Sequence, residues 1–204
     1  MLSNFDIHAR HAQITGKPPR VTPLLPEEIS EEERAIIADV LAAVSRPRPE
    51  KVSSHTAIML RHPMLYRCHV DLGLQLYRGA LAPRHRELAI LRLAWLCQAP
   101  FEWGEHVDVA KRVAGLMAED VERVKQGAAA SGWREDDRAI LQAVEELFEC
   151  AMICDETWSV LARHLDEKQL IELPILVGQY QGVAYLQNSL RFPLLPGNPG
   201  LAAR

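Results

Sequence analysis

Residues 84–116 read RHRELAILRLAWLCQAPFEWGEHVDVAKRVAGL, and the stretch predicts two helices joined by a tight turn. Pro83, just ahead of it, suits the first turn of a helix, where its missing N–H costs nothing. Arg84, His85, Arg86 and Glu87 then give way to Leu88, Ala89, Ile90, Leu91, Leu93, Ala94, Trp95 and Leu96, interrupted only by Arg92. A helix that is apolar around its whole circumference belongs in the interior of a protein. Gln98-Ala99-Pro100 makes the turn, and Phe101 to Val113 forms the second helix, ending at Gly115. Glu102 and His106 lie four residues apart on that helix, so they share a face and can touch.

The rest of the chain reads the same way outward from this pair. Upstream, Ser30 followed by Glu33 is a capping-box pattern. The helix it opens carries Ile36, Ile37, Val40, Leu41 and Val44 at helical spacing and stops before Pro47 and Pro49, the one plausible internal linker. Residues 52–79 are helical with an interruption at Pro63. Downstream, helices are expected over 118–125, 135–152, 156–163 and 168–190. The last opens on the cap-like pair Asp166 and Gln169, and Pro174 and Gly178 predict a kink within it. Residues 1–26 and the tail RFPLLPGNPGLAAR read as extended arms. No segment alternates as a strand would, so the fold class is all-α, with about eight helices. One domain is expected: an N-terminal arm and helix over 1–50, a core over 51–190 and an extended tail over 191–204.

The 204 residues carry 48% apolar and 25% charged side chains and a net charge of −4. That is ordinary globular composition. No basic face suggests nucleic acid, and no run of 18 uncharged apolar residues suggests a membrane span. The N-terminus lacks the apolar stretch of a signal peptide. Four cysteines in a chain of this length do not make a secreted disulfide framework. A cytoplasmic protein with reduced thiols is expected, with packing roles for Cys68, Cys150 and Cys154.

Chemistry concentrates around Glu87, Glu102 and His106. A carboxylate at the edge of an apolar helix is desolvated, which raises its pKa toward the range useful in acid catalysis. Two carboxylates and one imidazole in proximity push their pKa values apart, leaving a proton donor and an acceptor. The same residues also fit a surface pair plus a helix-capping glutamate. Trp103 and Tyr180 are candidate pocket walls or plain core, and Arg86 either holds a substrate carboxylate or pairs with a neighbouring glutamate. His55, His62 and His69 fall seven apart and would align on one helical stripe unless Pro63 breaks it; with His106 they make a histidine-rich alternative for a metal. The short echo between Glu87-Leu-Ala-Ile-Leu91 and Glu172-Leu-Pro-Ile-Leu176 is too brief to claim a duplication.

Arg86-Glu87-Leu88, Phe101-Glu102-Trp103, His106, Ala110 and Gly115-Leu116 together resemble the core of the carboxymuconolactone decarboxylase family, related to the alkylhydroperoxidase AhpD family. The similarity continues through Asp155–Trp158, Gln169–Glu172 and Gly178–Tyr180, covering most of residues 55–190. The resemblance implies an AhpD-like helical bundle that assembles as a homo-oligomer, a dimer, trimer or hexamer. The hydroperoxidase branch uses a glutamate, a CxxC pair and a histidine four residues beyond the second cysteine. Here those cysteine positions hold Ala99 and Glu102, neither of which can form or resolve a sulfenic acid. Phe101 stands where the family usually has tyrosine.

The resemblance thus implies the non-redox branch: cofactor-free, metal-free acid–base chemistry on a small unsaturated carboxylic acid or lactone. Its catalytic residues would be Glu87, Glu102 and His106, and its substrate contacts Arg86, Trp103 and Tyr180. The partner expected is a small-molecule substrate, with no nucleic acid and no membrane. Two other readings stay open, a thiol peroxidase of the AhpD type and a non-catalytic binding module on the same fold.

Overall fold

The computed structural model describes residues 5–43 and 52–204. Ten helices follow in chain order among the described residues: α1 (Ile7–Ile14), α2 (Glu31–Ala43), α3 (Ser54–Met59), α4 (Pro63–Tyr77), α5 (Pro83–Leu96), α6 (Pro100–Val113), α7 (Ala118–Gln126), α8 (Glu135–Cys150), α9 (Asp155–His164) and α10 (Glu167–Leu190). A final 3-10 turn spans Gly200–Ala202. Among the described residues there is no strand, as the periodicity predicts, and no helix is long and apolar enough to cross a membrane.

Local chemistry sets the boundaries. Ser30 accepts from the Glu33 N–H while the Glu33 carboxylate returns to the Ser30 N–H, the reciprocal box that opens α2. Pro63 occupies the first turn of α4 and separates it from α3, so the stripe joining His55, His62 and His69 is broken there. Asp166 and Gln169 cap α10 in the same reciprocal way. That helix runs unbroken for 24 residues through Pro174 and Gly178. The end of α2 before Pro47 and the linker around it lie outside the described residues.

α5 is the axis of the molecule. Every side chain from His85 to Trp95 is buried, and α6, α8 and α10 pack around it. Fully burying a leucine or isoleucine stabilises by roughly 1.5–3 kcal/mol, and α5 contributes Leu88, Ile90, Leu91 and Leu93. Its one buried interruption, Arg92, is compensated: Nε donates to Glu145 at 2.9 Å, and Nη1 donates to the Val124 and Lys125 carbonyls at the end of α7. A guanidinium there satisfies carbonyls that the helix end leaves without partners.

The two arms differ from expectation. The N-terminal one contains α1, opened by Asp6, whose carboxylate accepts from the His8 and Ala9 N–H groups. The C-terminal one is docked rather than free. Phe192 and Leu201 are fully buried, the Trp103 indole donates to the Ala203 carbonyl at 3.1 Å, and His11 Nε2 accepts from the Leu201 N–H. Asn198 lies so close over Gly104 that a Cβ there would overlap its side-chain oxygen. Cys68 and Cys150 are exposed, correcting the expectation of packing roles, and Cys154 caps α9 by accepting from the Thr157 N–H.

Buried apolar side chains fall into two clusters. The larger is built on α5 and includes Trp103 and Val107 of α6; the smaller gathers Ile29, Ile37, Ile58, Tyr66, Phe101 and Phe192. α6 therefore contributes to both, and its polar residues Glu102, Glu105 and His106 lie along the seam.

Candidate active site

His106 stands between two carboxylates. Its Nδ1 lies 2.7 Å from Glu87 Oε2 and its Nε2 lies 3.0 Å from Glu102 Oε1. Glu87 is fully buried in the first turns of α5, and Glu102 is 5% exposed one turn before His106 on α6. The expected face-sharing of Glu102 and His106 and the approach of Glu87 are thus realised in one cluster. Burial disfavours charge on the imidazole, but the Glu87 charge and the hydrogen bonds to Glu102 and Glu87 outweigh it and raise His106 to about 10. Burial likewise opposes charge on Glu102, yet the hydrogen bond and charge of His106, with a 2.7 Å bond from Gln187 Nε2, hold its carboxyl below the usual range. At neutral pH the cluster is carboxylate–imidazolium–carboxylate, with both ring N–H groups donating.

The residues behind and beside this cluster sort themselves by contact. Arg86 is buried, donates from Nε to Glu87 Oε1 at 3.1 Å and from Nη1 to the Tyr77 carbonyl at 2.9 Å, and stacks on the Tyr77 ring. It pairs with Glu87, the second of the two roles the sequence leaves open for it, and lines neither cavity. Trp103 takes the core position the sequence leaves open beside a pocket wall: it is fully buried against Trp95 with ring centroids 4.9 Å apart and lines neither cavity. Tyr180 meets expectation. Its ring lies edge-on to His106 with centroids 5.2 Å apart, and burial, then the nearby Glu102 and Glu87 charges, push its hydroxyl upward, so it stays protonated.

Two cavities meet at His106. The larger, about 570 Å³, opens between α2, α3, α4 and α6; the smaller, about 220 Å³, lies between α4, α6 and α10. His55, Phe101, Glu105, His106 and Tyr180 line both, while Glu102, His69, Gln179 and Gln187 line the smaller. None of the described cysteines lines either. Cys97 lies apart from both, and burial pushes its thiol up to about 11, far from a reactive thiolate.

Several lining residues escaped the sequence reading. Glu105, Val109, Arg112 and Val113 sit on the same helical face as Glu102 and His106, a signal present in their spacing. Gln187 approaches from a distant segment, which no local pattern announces, while His55, named in sequence only as part of a histidine stripe, reaches the cavity from α3. His55 is packed on Phe101 and Phe192, and burial pushes it down to about 4 despite the Glu102 charge, so it is neutral. His69 is lowered in the same direction, by burial against the pull of Glu102, and its Nδ1 faces Gln179 Nε2 at 3.1 Å. His62 is elsewhere, its Nδ1 accepting from the Leu65 N–H. Among the described residues the histidines of the cavity do not converge for a metal; the cluster that does is His85, Asp136 and Asp137, whose carboxylates are already engaged by Arg84 and Arg134.

Solved structures provide the comparison. The Agrobacterium tumefaciens protein ATU0492, described as a candidate antioxidant defence protein AhpD, superposes with a TM-score of 0.63 at 16% identity, covering 67% of this chain and 94% of that one. The debrominase Bmp8 superposes at 0.63 with 15% identity, covering 86% and 92%. The chain has the AhpD-like fold. A cysteine-to-alanine variant of Bmp8 in complex with 2,3,4-tribromopyrrole matches equally well, at 0.64 and 15% identity over 86% and 91% of the two chains. No protein-family model matches the sequence, and no curated protein matches it significantly.

Proposed function

We propose that this protein carries out cofactor-free acid–base chemistry on a small unsaturated carboxylic acid or lactone, in the manner of a carboxymuconolactone decarboxylase. The observation that carries the reading is the carboxylate–imidazolium–carboxylate cluster on the wall of a cavity that no described cysteine lines. In the decarboxylation, the C–COO⁻ bond breaks and CO₂ leaves. The electron pair passes into the conjugated lactone as a dienolate, and one proton delivered to carbon completes the product. Both His106 N–H groups face carboxylates, so the proton passes from His106 Nε2 to Glu102 and from the Glu102 carboxyl to carbon, and solvent returns one proton to reset the pair. Glu87, walled off behind the imidazole, holds the charge rather than acting as a second acid on substrate. Preorganised charge of this kind, in a site largely shielded from water, needs no rearrangement during the reaction.

The debrominase complex supports the reading to this extent: the same fold takes a small unsaturated ring in that protein. The thiol-peroxidase alternative is disfavoured by Glu102 occupying the cavity wall where a thiol would have to stand. Self-association as a homo-oligomer belongs to the same proposal. The test is turnover of γ-carboxymuconolactone to its enol-lactone, wild type against Glu102→Gln, with peroxide consumption by a dithiol measured in parallel. The expected result is turnover that falls by 10²-fold or more in the variant, within the range for a proton-transfer group, and no peroxide consumption. Turnover retained by Glu102→Gln, or consumption of peroxide, overturns the proposal.

A further inference from the structure

The two compartments that meet at His106 differ in which side chains they hold. The smaller holds the Glu102–His106 pair with His69 and Gln179, and Phe101 and Val183 complete its wall. Gln187 adds a buried acceptor. Its Nε2 is committed to the Glu102 carboxylate, which leaves Oε1 with no partner among the described residues. The larger compartment is walled mainly by hydrocarbon, from Ile37, Val40 and Leu41 of α2, Val109 and Val113 of α6, and Leu195 of the tail. At its mouth Val113 and Tyr77 remain 38% and 47% exposed, and Arg112 supplies a guanidinium that pairs with the exposed Asp108. At about 570 Å³ it falls in the range of pockets for whole small molecules, far more space than water alone needs.

We propose that the ligand of this site is amphipathic, with a polar unsaturated head in the smaller compartment against His106 and Glu102 and an apolar chain or ring substituent in the larger one. The head rests on the acid–base reading above; the apolar body rests on the α2 and α6 walls alone. A compact lactone would leave those hydrocarbon walls facing water, whereas an alkyl or aryl substituent covers them. Apolar surface removed from water is the main source of affinity in such pockets, at about 0.8 kcal/mol, or fourfold, per methylene.

The test uses the full chain and a series of α,β-unsaturated γ-lactones whose γ-carbon bears an unbranched alkyl group of one to eight carbons. Binding is read by calorimetry and by the shift in unfolding temperature, independently of turnover. Affinity should rise about fourfold per methylene over the first several carbons. Val109→Trp, which fills the larger compartment from its wall, should cut that gain per carbon sharply, and Val113→Trp at the half-exposed mouth should do the same without disturbing the core. Affinity that is flat along the series, or that rises equally in both variants, overturns the inference. Chain-length dependence together with no turnover of γ-carboxymuconolactone would sink the acid–base function and leave the amphipathic ligand standing. Turnover of γ-carboxymuconolactone with no gain from alkyl groups would do the reverse.

Discussion

Replacing Glu87 with glutamine removes one negative charge from a position 2.7 Å from His106 Nδ1 and 3.1 Å from Arg86 Nε, in a site with no solvent exposure. The side chain keeps its shape, so the effect is electrostatic. An opposite charge at this range shifts a pKa by about 1–3 units. His106, held at about 10 in the wild type, should therefore fall toward roughly 7–9. The linkage sign follows from the direction. A histidine raised in the folded state contributes stability that is complete below its unfolded value of 6.5 and is lost as pH climbs through the folded value. Wild-type stability should thus decline by about 1.4 kcal/mol per pH unit across the middle of that window. In Glu87→Gln the decline should end about 1–3 units earlier. At pH 7 the variant should also be less stable by about 3–5 kcal/mol, since Arg86 loses its buried partner. Urea unfolding followed from pH 6 to 10, alongside an NMR titration of the His106 ring, measures both quantities. A wild-type ring that titrates near 6.5, or a variant whose ring and stability curve match the wild type, would refute the account of the cluster.

His55 works in the opposite direction. It is lowered to about 4 in the folded protein, so its contribution is complete above 6.5 and is lost as pH falls from 6.5 to about 4, by up to about 3 kcal/mol. His55→Phe, which keeps an aromatic ring against Phe101 and Phe192, should flatten the acid arm of the stability curve, and an unchanged acid arm in urea melts would contradict this. Gly104→Ala puts a Cβ into Asn198, which holds the tail through the Phe101 carbonyl, Glu105 and the Gly200 N–H. Overpacking of that kind costs about 1–3 kcal/mol. Limited proteolysis should then cut within 191–204 in the variant and spare the wild type. Leu91→Ala opens a cavity on the fully buried axis of α5 and should cost about 2–5 kcal/mol in chemical denaturation; a loss under 1 kcal/mol would mean α5 is not the central helix.

Which parts of this architecture were legible in the sequence depends on how local their causes are. The apolar circumference of residues 88–96 could only be buried, and the Ser30–Glu33 and Asp166–Gln169 boxes are closed by residues three apart. The pairing of Glu102 with His106 needed only helical geometry. The tail was opaque because its docking is written in its partners: Gly104 is small so that Asn198 can approach, and Trp103 turns its N–H to the Ala203 carbonyl. A proline- and glycine-rich segment carries no periodicity from which that could be read. The role of Arg86 stayed open for a related reason. A basic residue beside a candidate catalytic glutamate fits substrate binding and charge compensation equally well in sequence, and only the complete burial of Glu87 decides between them. A buried carboxylate without a partner is strongly disfavoured. Arg86, anchored on the Tyr77 carbonyl, therefore supports the buried Glu87 that faces His106, although Arg86 itself lines neither cavity.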